Sequence, residues 1–113
     1  MATLVKRGDK YYLVAHGGYR NRDKIAPTEV EVVPPLQKVD EFTYIYPDNP
    51  CGSGHNTIII YNDAQGKTIA VHKFSWSPEI GYSWAEDWES VTDDPKEIEK
   101  LKMRKETIIQ ENL

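Results

Sequence analysis

The sequence predicts an α+β domain, a mostly antiparallel β-sheet followed by one C-terminal α-helix. Three observations lead there. Short β-branched and aromatic stretches recur as far as Trp76, pairs of them are separated by turn-forming residues, and a helical period with a start signal appears only after Asp94. About five or six strands are expected.

Thr3 to Val5 and Tyr11 to Ala15 flank Gly8-Asp9, which suits a two-residue hairpin turn with glycine in the first central position. The Arg7-Gly8-Asp9 triplet is therefore read as a turn and not as an adhesion signal. His16 to Lys24 is polar, glycine-bearing and aperiodic, as in a loop, and it carries Arg20 and Arg22. Glu29 to Val33 alternates as a half-buried edge strand, ended by Pro34-Pro35 because proline cannot donate to a ladder. Phe42 to Tyr46 alternates again. Thr57 to Tyr61 and Thr68 to Trp76 flank Asn62 to Lys67, where a type I turn followed by Gly66 closes a second hairpin. On its second strand Ala70, His72, Phe74 and Trp76 share one face and Ile69 and Val71 the other, so both sides are expected to be covered.

The stretch from Ser77 to Ser90 fits neither period. Asp94 as N-cap, Pro95 at the first helical position and Glu97 three residues past the cap then start a helix from about Pro95 to Glu111. Its apolar positions Ile98, Leu101 and Ile108 make a narrow stripe that suits edge packing or a two-helix seam.

The chain has 113 residues, 39% hydrophobic and 28% charged, which fits one globular domain over residues 1–113. A net charge of −4 argues against long nucleic acid as the main ligand, because phosphate binding relies on clustered Lys and Arg. A small anion held by a few arginines and backbone amides is compatible with it. A single cysteine, the absence of an apolar leader and the absence of a long apolar run predict a cytoplasmic protein that does not span a membrane.

The segment Asp48 to Asn56 is read as a glycine-shaped loop opening onto the most apolar run of the chain, with Gly52, Ser53 and Gly54 turning backbone N–H groups toward one point. Cys51 and His55 lie four residues apart within it. A catalytic thiol and its base ordinarily come from separate elements with a third group orienting the base, so no catalysis is assigned to them. His16, His55, His72 and Cys51 form no paired ligand motif, so no metal is expected, and no cofactor. Glu86, Asp87 and Glu89 read as a solvated acidic face.

The candidate ligand-binding set is Arg20, Arg22, Gly52, Ser53, Gly54, His55, Asn56, Tyr82, Trp84 and Trp88. It supplies backbone donors and guanidinium charge for phosphate and flat faces for a base. Those are the parts of a small-nucleotide pocket without a catalytic group. The alternative is a protein-partner inhibitor of the immunity or anti-restriction type, with Trp84 to Glu89 as aromatic anchors in an acidic field.

At Asn49-Pro50-Cys51-Gly52-Ser53-Gly54-His55-Asn56 and Trp76-Ser77-Pro78-Glu79-Ile80-Gly81-Tyr82-Ser83-Trp84 the chain resembles the phage-encoded Thoeris anti-defence 1 family. The resemblance implies a small, oligomeric protein of the host cytoplasm that sequesters a cyclic or ADP-ribose-derived signalling nucleotide without cleaving it. A homo-oligomer, dimer or higher, is also expected because a lone helix hardly covers the apolar strand set on both faces.

Overall fold

A computed structural model describes residues 2–20, 23–49, 52–78 and 87–111. The described elements are β1 (Thr3–Arg7), β2 (Lys10–Ala15), β3 (Gly17–Arg20), β4 (Asp23–Ile25), β5 (Thr28–Val32), β6 (Gln37–Asn49), β7 (Gly52–Asn62), β8 (Thr68–Pro78), β9 (Asp87–Thr92) and α1 (Pro95–Glu111). The fold is α+β and mostly antiparallel, as the strand-rich pattern and single helical period predict. Among the described residues nine strands replace the expected five or six, in two sheets of order β1-β2-β5 and β4-β3-β9-β8-β7-β6.

The larger sheet is the middle of three layers. Side chains alternate across a strand, so β7 and β8 each feed two cores. Ile58, Ile60 and Ala70 meet Ile98 of α1, with Phe42, Tyr44 and Leu101 around them. Ile69 and Val71, with Val91, meet Leu13, Ala15, Val30 and Val32 of the small sheet. The narrow apolar stripe of α1 thus packs at Ile98 and Leu101 within its own chain, while Lys105 reaches Asp40 at 2.8 Å over the Phe42 ring. That ion pair holds the Asp40 carboxyl below its ordinary range. The helix starts as its cap residues dictate: Asp94 Oδ1 accepts from the Lys96 N–H at 3.0 Å.

Both anticipated hairpins form. Gly8 takes a positive φ of 66° between the paired Arg7 and Lys10. In the second hairpin the Gly66 N–H donates to Asp63 O at 3.0 Å and Gly66 takes φ 83°. Arg7 bonds Glu29 and lies over the Tyr12 ring, so the triplet's cation is engaged in the fold.

Two segments depart from the sequence reading. His16 to Lys24 is not a plain loop: β3 and β4 form a hairpin there and extend the large sheet. The chain crosses from one sheet to the other over His16 alone, and Gly17 (φ 74°) makes this possible, since a Cβ there would run into the Ile25 and Ala26 backbone. Gly52 to Asn56 is likewise strand, paired to β8 on one side and, with an irregularity between Ile45 and Asp48, to β6 on the other; Pro50 and Cys51 lie outside the described residues.

Asp63 ties the two sheets together. It is 7% exposed, and its carboxylate accepts N–H bonds from Gln65 and Lys67 in its own turn at 2.9 Å and from Val33, just past β5, at 3.1 Å. Lys67 in that turn also reaches the Glu31 carbonyl and, at 3.2 Å, Asp93 ahead of α1. Burial alone raises the Asp63 pKa, but the three backbone donors and the Lys67 charge outweigh it and hold the carboxyl below its ordinary value.

Two measurements test this role. Asp63→Ala is expected to lower the unfolding free energy by roughly 2–4 kcal/mol, the scale of several lost bonds to a charged acceptor. Because the folded pKa is depressed, the contribution is complete above the unfolded value of about 4 and is lost as pH falls through the folded one. Urea midpoints of the native chain should therefore fall more steeply with acidification than those of Asp63→Asn; parallel curves would remove the role.

Candidate functional site on the helix-side face

Past the end of the Ile98 contact, the helix-side face of the large sheet turns aromatic and polar. The ladder places Tyr44 opposite Asn56, Asn56 opposite Phe74, Phe74 opposite Trp88, and Trp88 opposite Gly18, in one row across five strands. The next row toward the helix is Phe42, Ile58, His72 and Ser90.

Within this face Phe74 stacks on Trp88 with centroids 5.5 Å apart and planes 17° from parallel. His72 meets Trp88 edge-on at 4.8 Å. Asn56, only 4% exposed, holds its Oδ1 2.8 Å from His72 Nε2. An amide oxygen only accepts, so Nε2 carries the hydrogen and the ring is fixed in one tautomer and orientation. Arg104 of α1 lies over the Tyr44 ring at 6.0 Å. Burial pushes the Tyr44 hydroxyl pKa up, and the Arg104 charge offsets part of that shift. Gly18 has no Cβ, and one would strike the β9 backbone at Asp87 and Trp88, so glycine at this position is what lets β3 close on the Trp88 strand.

The arrangement offers a flat π surface, an oriented amide and imidazole beside it, and a guanidinium at its border. It can stack a planar ring and hydrogen-bond the ring's edge.

The structure redistributes the residues expected to bind ligand. Asn56 and Trp88 lie in the same row of this face, and Gly54, buried, is two residues along the strand from Asn56. His55 falls on the opposite face, exposed, between Ile45 and Ser75. Gly52 and Ser53 are strand residues opposite Asn49 and Asp48, and Arg20 is on β3 opposite Asp23. Arg22, Tyr82 and Trp84 lie outside the described residues.

The loop expected from Gly52 to Asn56 is corrected to strand: β7 pairs with β8 throughout this stretch and with β6 across an irregularity between Ile45 and Asp48, where Gly54 has no β6 partner in the register. Gly54 is not among the positive-φ glycines, which for the described residues are Gly8, Gly17, Gly18 and Gly66. Glu89 is also corrected: it is 5% exposed, because it shares with Val91 the face of β9 that the small sheet covers, whereas Asp87, on the same face, lies beyond that cover and is exposed. Sequence reasoning did not place Tyr44, His72, Phe74 and Arg104 in the site, although His72 and Phe74 share a face by simple alternation. Arg104 had a usable signal as well, three residues beyond the core-facing Leu101.

Compared with protein-family models, curated proteins and solved structures, the chain matches none of them. The functional reading therefore rests on the side chains of this face.

Asn56→Ala is expected to cost roughly 1–3 kcal/mol of stability, since it deletes a buried bond and leaves His72 Nε2 to find another acceptor. Urea denaturation measures it; an unchanged midpoint would show that the Asn56–His72 bond contributes nothing net.

Proposed function

We propose that this chain is a non-catalytic binding protein that sequesters a small cyclic or ADP-ribose-derived signalling nucleotide. The observation that supports the reading best is the stacked Phe74–Trp88 pair with the Asn56–His72 pair beside it, a platform suited to a nucleobase. In this proposal the base lies on that platform, and Arg104, with Arg20 and Arg22 from the β3–β4 hairpin, meets the phosphates. Tyr82 and Trp84, outside the described residues, are proposed to contribute further aromatic faces to the same ligand. The resemblance to the Thoeris anti-defence 1 family favours the same function, and with it a phage origin and action in the host cytoplasm.

Calorimetry against a panel of cyclic and ADP-ribose-derived nucleotides tests the proposal. Trp88→Ala or Phe74→Ala should weaken binding by roughly 1–3 kcal/mol with little salt dependence, as stacking does. Arg104→Ala should instead cost most at low salt, because a screened charge contact is removed. No heat with any nucleotide, from folded protein, would shift the assignment to a protein-partner inhibitor using the Trp84 to Glu89 segment.

We also propose that the chain self-associates. Ile45 and Tyr19, 54% and 58% exposed, stand at the two sides of the large sheet on the face away from the helix. Light scattering at micromolar concentration should give at least a dimer, reduced in Ile45→Glu or Tyr19→Glu; a monomer mass for the unaltered chain would refute it.

A further inference from the structure

The large sheet ends at β6, and among the described residues no strand pairs with its outer side. One row of the ladder decides which backbone groups face that side. In an antiparallel strand the N–H and C=O of one residue point to the same side, and those of its neighbours to the other. The Val91 N–H is taken by Thr28 Oγ1, so Val91 does not exchange bonds with its partner Val71. Val71 therefore bonds Ile59 on its other side, and the backbone groups of Ile59 turn away from Glu41. The outer end of the same row agrees independently, because the Glu41 N–H donates to the Asp40 carboxylate at 2.9 Å and not to β7. The register runs unbroken from Glu41 opposite Ile59 to Ile45 opposite His55, so Glu41, Thr43 and Ile45 all direct their backbone groups outward. All are exposed. Irregularities bound the stretch, one between Lys38 and Asp40 and one after Ile45, and such breaks are a usual guard of edge strands against unwanted pairing. Between them, among the described residues, only the Glu41 N–H is capped.

We infer that this edge pairs with the same edge of a second copy of the chain, about a two-fold axis through Thr43. The inference names the contact for the self-association proposed above and rests on that reading. Thr43 is the midpoint of the outward row, so this register alone sets every outward residue opposite another: Thr43 faces the partner's Thr43, and Glu41 faces the partner's Ile45. Moving the axis to Phe42 or to Tyr44 leaves Ile45 or Glu41 with no outward residue opposite. With the axis at Thr43, Phe42 comes opposite the partner's Tyr44 on the helix side, twice by symmetry. Those are positions without ladder bonds, where side chains stand closest, and aromatic cross-strand pairs there are favourable. Glu41 meets an aliphatic side chain and not a second carboxylate. This self-matching selects a second copy over a strand of another protein. The row of Trp88, Phe74, Asn56 and Tyr44 then continues into the partner's Phe42, so the two candidate platforms meet at the axis. Arg104 over Tyr44 and Lys105 over Phe42 flank the joint.

The test uses the full chain at micromolar concentration. Hydrogen exchange at the Thr43 and Ile45 amides should slow by at least about tenfold as the protein is concentrated from monomer to dimer. Thr43→Cys combined with Cys51→Ser should form a disulfide-linked dimer on mild oxidation, because paired Cα atoms about 5.5 Å apart at the axis lie within bridging distance. Lys96→Cys with the same Cys51→Ser, at the exposed start of α1, should stay monomeric. Thr43→Pro deletes the outward donor without removing a ladder bond inside the sheet. When diluted it should melt like the diluted native chain, yet it should dimerise at least about tenfold more weakly. A monomer mass for the native chain would defeat the self-association reading and this contact together, and would leave the edge to a strand of another protein. A dimer whose Thr43 and Ile45 amides exchange as they do in the diluted chain, or whose Thr43→Cys form links no faster than Lys96→Cys, would overturn the β6 pairing alone.

Discussion

One carboxylate fixes how the two sheets meet. Asp63 sits at the start of the β7–β8 turn, accepts from that turn's own amides, and reaches across to Val33 at the end of β5. The reverse bond from Ala64 N–H to Val33 O, 2.7 Å, closes the same junction. Without it the β7–β8 hairpin would still form, because its strands pair directly. The small sheet, however, would be held mainly by nondirectional apolar contact among Leu13, Val30, Val32, Ile69 and Val71. The Val91 N–H bond to Thr28 Oγ1 at 2.9 Å and the Lys67 bond to the Glu31 carbonyl are further directional ties between the layers. Directional bonds of this kind set register, and register decides which side chains of β9 enter the core and which form the platform.

The helix does the corresponding work on the other face with different chemistry. Ile98 and Leu101 cover Ile58, Ile60 and Ala70 for only part of the strand length. Further along α1 the contacts become cationic, Lys105 with Asp40 and Phe42 and then Arg104 with Tyr44. Among the side chains described, the change from isoleucine and leucine to lysine and arginine gives the Tyr44 end of the Tyr44, Asn56, Phe74 and Trp88 row a cationic border.

Much of the fold was legible because its signals are local. The Asp94-Pro95 start gave α1 its N-terminus, and the Gly8 and Gly66 turns fixed both hairpins. What was not legible depends on distant partners. Gly52 to Asn56 has loop composition, yet it pairs with β8 throughout, and that outweighs a weak intrinsic preference. His16 to Lys24 becomes a hairpin because β9 offers a free edge at Trp88 and Gly18 is small enough to meet it. Glu89 read as surface from its acidic neighbours, although its strand parity with Val91 assigned it to the inward face.

That parity also reorganises the candidate site. His55 and Asn56 are adjacent in sequence and were read as parts of one loop, but consecutive strand residues point to opposite faces. Asn56 joins His72 and the aromatic row under the helix, whereas His55 joins Ser75 and Asp87 on the exposed row beyond the small sheet. No single small ligand lying against one face touches both side chains. The two rows also differ in kind: one is aromatic with an oriented amide, the other leads into a slot bordered by Thr57, Lys73 and Glu89. Extending β7 through the glycines therefore converts one presumed binding loop into two chemically distinct surfaces, separated by the thickness of a single sheet.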